Sequence, residues 1–509
     1  MVSENKARIF RNVLITSAGK YGEYILALIS SAIVARALGA DNYGIYAFTV
    51  FISGWMIRLS NISLPTTAIR FVAESRGKKN EAVSRRISAR LLTRQTINSL
   101  IVCSLFIAGI QIYQPEVLKG QGNFLFLLVC IAVFFKARYG LLIAIAKGYE
   151  RFDVEATTAI VVGVLSVASM IYMAVIGASI ANFFLVFCLA CVAMAILSSY
   201  LCRSKAIRHE RGTIDSDYLK KITRYRRLTT LLGLVGLVGG HTVEVFLLGQ
   251  YGTNIEIGYF GLSIALTRGL TDLCTVGLTM VLMPSLAHAF GEENLKAVQK
   301  IFLESTRYYV FFGVGLGLSG FFVADPVIKI LFGVEFQDAA WVLSSLLFIS
   351  GYGMAGAAIG AYLSTTDRQD IRVKFSISVV CVQITLAFLL VPRLGLEGAI
   401  ASSAITSLFS LILGYQWIAR NMEAGIPYKL YSKIILAGIL SLLPTVVIVY
   451  FTDSLIFDVT AILLFAVLYV YLTILFKCWW RDDLDLVRYA VGMMPRFISN
   501  PITNLLNKY

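Results

Sequence analysis

The chain has 509 residues, of which 58% are hydrophobic and 15% charged, with a mean hydropathy of +0.76. This composition excludes a soluble globular protein, and it predicts an all-α polytopic membrane protein. Basic residues exceed acidic ones by 45 to 30, but the excess falls in short segments between apolar runs, which assigns it to membrane topology and not to a nucleic-acid surface.

Taken in order, the apolar segments are 13–38, 43–68, 93–113, 123–146, 156–176, 180–202, 228–250, 257–285, 306–324, 338–363, 373–392, 396–418, 431–451 and 455–476, about fourteen transmembrane helices. The first is interrupted by Lys20 and Glu23 and carries Arg36 near its far end. Its basic leader resembles the start of a signal peptide, yet the following run is too long and too charged, so an uncleaved first helix is expected. After the last span, Trp479 and Trp480 suit an interfacial belt, and the sequence from Arg481 reads as an amphipathic helix on the membrane surface.

Lys and Arg set the orientation. The segments after the second and sixth spans hold Arg70 to Arg94 and Arg203 to Arg227 and are expected on the cytoplasmic side, as are both termini. The opposite side has only Lys119, Lys329 and Arg393. The two halves repeat: Gly44 matches Gly258, Pro65 matches Pro284, Ala82-Val83 matches Ala297-Val298, Glu150–Asp153 matches Asp367–Asp370, and Gly177 matches Gly395, at offsets of 214 to 219 residues. Six helices per half make these parallel repeats, with a substrate path expected between them. The expected organisation is a six-helix bundle over 1–202, a basic cytoplasmic linker over 203–227, a second six-helix bundle over 228–419, two extra transmembrane helices over 420–476 and a cytoplasmic amphipathic tail over 477–509.

Charged residues inside the spans are the strongest functional signal, because each costs at least about 2.5–3.5 kcal/mol at mid-membrane and so faces protein or water. Lys136 and Arg138 share a helix without an acidic neighbour, and Arg58, Arg268, Lys20 and Arg36 complete a cationic set. Such a set suits a diphosphate, gripped bidentately by Arg and met by the point charge of Lys. The competing reading pairs Lys20 with Glu23 and Arg268 with Asp272 along their helices, and lets Arg58 snorkel to the interface. Glu23, His241, Glu244 and Asp272 are candidates for coupling to a proton or sodium ion, or for polar helix packing. No cofactor and no metal are expected. Cys188 and Cys191 form a CxxC inside an apolar helix and read as packing residues. Gly315, Gly317 and Gly320 match GxGxxG in the wrong context for a dinucleotide. There is no Walker A sequence and no nucleophile–base pattern, so the chain is not expected to be an enzyme.

The stretch RALGADNYGIYAF, Arg36 to Phe48, together with GYERFD at Gly148 to Asp153 and LGLEGAI at Leu394 to Ile400, resembles the Wzx-type polysaccharide-biosynthesis flippases of the multidrug/oligosaccharidyl-lipid/polysaccharide exporter superfamily. The resemblance implies a fold like the MATE multidrug exporters, two bundles in a V. It implies flipping of an undecaprenyl-diphosphate-linked oligosaccharide from the cytoplasmic to the outer leaflet of the inner membrane, for O-antigen, capsule or exopolysaccharide. It also implies partnership with a polysaccharide polymerase and a chain-length regulator. The alternatives are a peptidoglycan lipid II flippase and a MATE-type cation-coupled drug exporter. A membrane-bound glycosyltransferase is disfavoured by the short outer loops.

Overall fold

The computed structural model describes residues 2–202, 215–365, 369–421, 427–451 and 455–479. Residues 203–214 of the linker, Asp367 and Arg368 of the second repeat turn, and the tail from Trp480 lie outside the described residues. The described chain is all α, without a strand. Its helices are α1 (Val2–Ser60), α2 (Leu64–Gly77), α3 (Glu81–Ile112), α4 (Asn123–Gly148), α5 (Asp153–Val175), α6 (Ile180–Cys202), α7 (Ser216–Val238) and α8 (Thr242–Tyr251). They continue with α9 (Asn254–Gly291), α10 (Leu295–Leu331), α11 (Ala339–Thr365), α12 (Gln369–Asn421), α13 (Tyr428–Phe451) and α14 (Leu455–Leu475).

Among the described residues nine helices are long and apolar enough to cross a membrane, or ten if α7 and α8, bent by 45°, form one broken span. Two of the nine, Gly19–Ser60 and Asp370–Arg420, run to 42 and 51 residues, about twice what a bilayer core requires. Each is interrupted by a glycine at positive φ, Gly39 at 74° and Gly395 at 55°. Only glycine adopts those angles without strain, so the two positions fix where one helix gives way to the next.

Several boundaries move for identifiable reasons. The third segment, expected over 93–113, begins at Glu81, because the Asn80 side chain accepts a hydrogen bond from the Val83 amide at 3.1 Å and caps the helix there. The ninth, expected over 306–324, begins at Leu295 for the same reason: the Asn294 side chain accepts from the Ala297 amide at 3.0 Å. The two caps are one repeat length apart, and they place the matched Ala-Val pairs in first helical turns and not in loops. Pro65 opens α2 where its missing amide costs nothing, instead of closing the preceding span. The matched Gly177 and Gly395 both take left-handed angles, 64° and 55°.

The helices pack as two compact units. One comprises Met1–Ala265 with Leu331–Phe336 and Ser376–Ser402; the other comprises Leu266–Ile330, Gln337–Phe375 and Ser403–Tyr509. In the first, a core of Leu64, Phe71, Leu91, Leu141, Ile145 and Val154 joins α2, α3, α4 and α5. In the second, Phe302, Tyr309, Ile359, Tyr431 and Phe465 join α10, α11, α13 and α14. There the Tyr469 ring stacks on Phe311 at 4.9 Å and its hydroxyl donates to the Phe311 carbonyl at 2.8 Å, tying α14 to α10.

Candidate functional site

In the first unit, Lys20 does not stand as an isolated cation. Its Nζ lies 2.9 Å from Glu23 one turn along α1 and 3.2 Å from Glu155 at the start of α5, and Glu155 lies 2.7 Å from Lys147 at the end of α4. The four charges sum to zero and bind three helices together. Pairing of Lys20 with Glu23 was legible from their spacing; Lys147 and Glu155, more than 120 residues away in sequence, carried no such signal.

Lys136 and Arg138 differ from this network. Lys136 Nζ lies 3.0 Å from Met194 Sδ on α6 and 4.9 Å from the centre of the Tyr139 ring, both soft neutral partners, with no carboxylate beside it among the described residues. Cation–π contact lessens the cost of holding an ammonium there without discharging it. Arg138 donates from Nη1 to the Leu92 carbonyl of α3 at 3.1 Å. That bond ties the Arg138 guanidinium of α4 to α3 at Leu92, which lies between Arg90 and Arg94 in the chain. Arg58, near the end of α1, is exposed and has no ion pair or side-chain hydrogen bond among the described residues. Arg36 Nε donates to the Leu331 carbonyl at 2.9 Å, meeting the C-terminal end of a helix with a positive charge.

Glu244 occupies the most unusual environment. Gly239, Gly240 and His241 break α7 from α8, with His241 itself at φ 66°, and the first turn of α8 carries Glu244 into the interior at 0% exposure. Gln383 Nε2 donates to both carboxylate oxygens at 3.1 and 2.9 Å, and Ser402 Oγ to one of them at 3.2 Å. Both donors are neutral. A bare carboxylate in such surroundings costs several kcal/mol unless a cation or proton joins it. His241 packs edge-on against the Phe260 ring, centroids 5.9 Å apart. Sequence reading found Glu244 but not Gln383 and Ser402, since single neutral polar residues in apolar runs do not disturb the hydropathy pattern.

Just beyond the Gly39 kink within α1, the repeat-related Gly44 and Gly258 pack directly on one another. A β-carbon on Gly258 would lie 3.4 Å from the Gly44 backbone, and one on Gly44 would lie 1.8 Å from the Asn254 carbonyl oxygen. Asn254 Nδ2 donates to Asp41 Oδ1 at 3.1 Å, and Glu256 accepts from the Thr253 and Leu396 amides. These contacts make a tight seal between the start of α9 and α1. Arg268 and Asp272 lie on α9 in the second unit, one turn apart, Arg268 exposed and Asp272 half-buried. No grouping of three or more His, Cys, Asp or Glu fit to hold a metal occurs among the described residues, and Cys188 and Cys191 are buried free thiols.

A family model described as polysaccharide biosynthesis protein matches residues 33–341, which include Lys136, Arg138, Glu155 and Glu244. The chain belongs to that family. Among curated proteins it is 25% identical, over 178 residues, to a capsular polysaccharide biosynthesis protein, CapF, of Staphylococcus aureus; the match covers 34% of this chain and 43% of that protein, less than half the relative's length. Among solved structures it resembles the lipid II flippase MurJ in an inward closed conformation, with a TM-score of 0.73 at 13% identity over 91% of this chain and 98% of that one. It also resembles an inward-facing multidrug resistance MATE transporter of the MOP superfamily, with a TM-score of 0.61 at 14% identity, covering 79% and 96%. At such identities the likeness shows the fold: the chain is a multi-pass membrane protein built on the architecture of these flippase and transporter structures.

Proposed function

We propose that this protein flips an undecaprenyl-diphosphate-linked oligosaccharide from the cytoplasmic to the outer leaflet of the inner membrane, with both termini cytoplasmic, for a capsule or related surface polysaccharide. The observation that carries the reading is Lys136, an ammonium inside the span of α4 that lies against a thioether and an aromatic ring. It supports a role in meeting an anionic substrate, as a cation held ready without an internal counter-charge would. Arg58, exposed and without an ion pair, and Arg138, two residues beyond Lys136, are assigned to the same cationic cavity, and Arg36 to its margin. Lys20 belongs to it only when the Glu23 and Glu155 pairs open.

Glu244, Gln383 and Ser402 are assigned to ion coupling, because a proton or sodium ion would neutralise a carboxylate otherwise faced by neutral donors. Glu23, His241 and Asp272 are secondary candidates. With the cell interior negative, outward movement of a doubly charged diphosphate is favoured by about 4.6 kcal/mol per 100 mV, at about 2.3 per charge. The seal at Gly44 and Gly258 is the contact that must part for outward release.

The likeness to MurJ favours lipid II as a second cargo; the CapF relative favours capsule. A drug exporter of this fold would take cationic substrates, which Lys136 and Arg58 oppose. The test is transport in cells carrying Lys136→Met or Lys136→Arg. Met is expected to abolish surface polysaccharide while the protein still accumulates, and Arg to retain it; normal polysaccharide with Met overturns the assignment.

A further inference from the structure

Arg36 and Gly39, the two ends of the RALG run, lie at the break in α1, and a turn from the far half of the chain is seated in that break. The turn is Leu331–Phe336, between α10 and α11. It packs with the first unit, whereas the segments on either side of it, Leu266–Ile330 and Gln337–Phe375, pack with the second. Gly333, at φ 98°, reverses the chain, and Val334–Phe336 form a single 3-10 turn.

Contacts run along both arms of the break. Before it, Arg36 Nε donates at 2.9 Å to the carbonyl of Leu331, the last residue of α10, where a positive charge suits the helix end. At the break itself, a β-carbon on Gly39 would lie 3.3 Å from Glu335 Oε2. Beyond it, the fully buried Phe336 meets the Tyr43 ring edge-on at 5.6 Å and the Tyr259 ring of α9 at 6.1 Å. The Tyr259 hydroxyl also donates to the Glu335 carbonyl at 3.1 Å. Tyr43 precedes Gly44 and Tyr259 follows Gly258, so the two rings that grip Phe336 are chain neighbours of the two glycines that pack on one another. The turn Glu116–Leu118, 218 residues earlier and between α3 and α4, is the repeat counterpart and packs against α8. At the offset that relates Gly44 to Gly258, Gln250 corresponds to Arg36, so no guanidinium stands at that place in the second socket.

We propose that the break in α1 is a lock and the Leu331–Phe336 turn its bolt: seated on Arg36, Tyr43 and Tyr259, the turn keeps the Gly44–Gly258 seal shut, and its withdrawal is the step that lets the seal part. To separate Gly44 from Gly258 the chain must also separate Tyr43 from Tyr259, and Phe336 holds those rings together. Arg36 is then a positioning residue that acts through the turn. The lock rests on reading the Gly44–Gly258 contact as the one that parts for release, and it is independent of the cargo and of Lys136.

The experiment is hydrogen–deuterium exchange of the full chain in lipid nanodiscs, read on the peptides spanning 331–338 and 40–48. Arg36→Gln and Tyr259→Phe each remove one hydrogen bond to the turn, and each is expected to accelerate exchange about fivefold in 331–338 and by a like factor in 40–48. Arg36→Lys, which keeps a charged donor, should retain most of the protection, and Lys119→Gln, beside the other turn, should change neither peptide. Coupling is reciprocal, so Gly44→Ala should in its turn accelerate exchange in 331–338. Release of the turn with 40–48 still protected would make Arg36 and Tyr259 anchors of a loop and would overturn the lock, as would unchanged exchange in 331–338 in both variants. Surface polysaccharide in Lys136→Met cells reports on the transport reading and not on these exchange rates, so the two failures are distinguishable.

Discussion

Gly44→Ala isolates the seal between α1 and α9. The added methyl would sit 1.8 Å from the Asn254 carbonyl oxygen and 2.5 Å from its carbon, where backbone atoms cannot yield as a flexible side chain does. Restoring ordinary contact at 3.4 Å requires the helices to part by about 1.6 Å. Overpacking of this kind costs about 1–3 kcal/mol. If the cost falls on the sealed state alone, the sealed population relative to the open one drops about fivefold to 150-fold, at about 1.4 kcal/mol per decade. Hydrogen–deuterium exchange of the peptides spanning 40–48 and 254–262 is the assay, and exchange should accelerate by that factor. Gly54→Ala, on the same helix with nothing within 4 Å of the new carbon, is the control and should leave exchange unchanged. Unaltered protection in Gly44→Ala would refute the reasoning.

Other substitutions test separate parts of the molecule. Glu155→Gln leaves Lys147 without its 2.7 Å partner and Lys20 with one instead of two; a loss of about 1–2 kcal/mol is expected in thermal melts, discounted for the partial exposure of both lysines, and Lys147→Met in the same chain should recover part of it. Glu244→Gln should change how flipping depends on a proton or sodium gradient while leaving the protein folded, because Gln383 and Ser402 can still hydrogen-bond the amide; an unchanged dependence would leave Glu244 a packing group. At the surface end of α2, the ammonium of Lys221, seconded by Lys78, holds the Glu74 carboxyl below the usual carboxylate range. Its folded-state value is therefore depressed, and the stability it contributes is present above the unfolded value and lost as pH falls through the native one. Exchange in 64–77 should rise with acidification in the wild type and be insensitive to it over that interval in Glu74→Gln.

Hydropathy was enough for the class of fold, since nothing but membrane helices satisfies such long apolar runs. At positions matched between the two halves the structure has like backbone devices: Asn caps at Asn80 and Asn294, and left-handed glycines at Gly177 and Gly395. Those caps also explain why α3 and α10 start about a dozen residues before their apolar stretches, because helix formation depends on hydrogen bonding and a hydropathy window sees only the lipid-facing part. Within the candidate site, Lys20 and Glu23 were readable as a pair from their spacing. Glu155, Gln383 and Ser402 were not, because tertiary neighbours across more than a hundred residues leave no mark on a single sequence. The bond from Arg138 to the Leu92 carbonyl was likewise invisible, since a backbone acceptor on another helix leaves no mark on the sequence.

The central claim is the movement of a lipid-linked saccharide, and its most direct measurement is the inventory and sidedness of lipid-linked saccharides in cells lacking this protein. The account predicts one undecaprenyl-diphosphate oligosaccharide accumulating in the inner leaflet together with loss of one surface polysaccharide, both reversed by the wild-type chain and not by Lys136→Met. An unchanged inventory with new sensitivity to cationic drugs would contradict it.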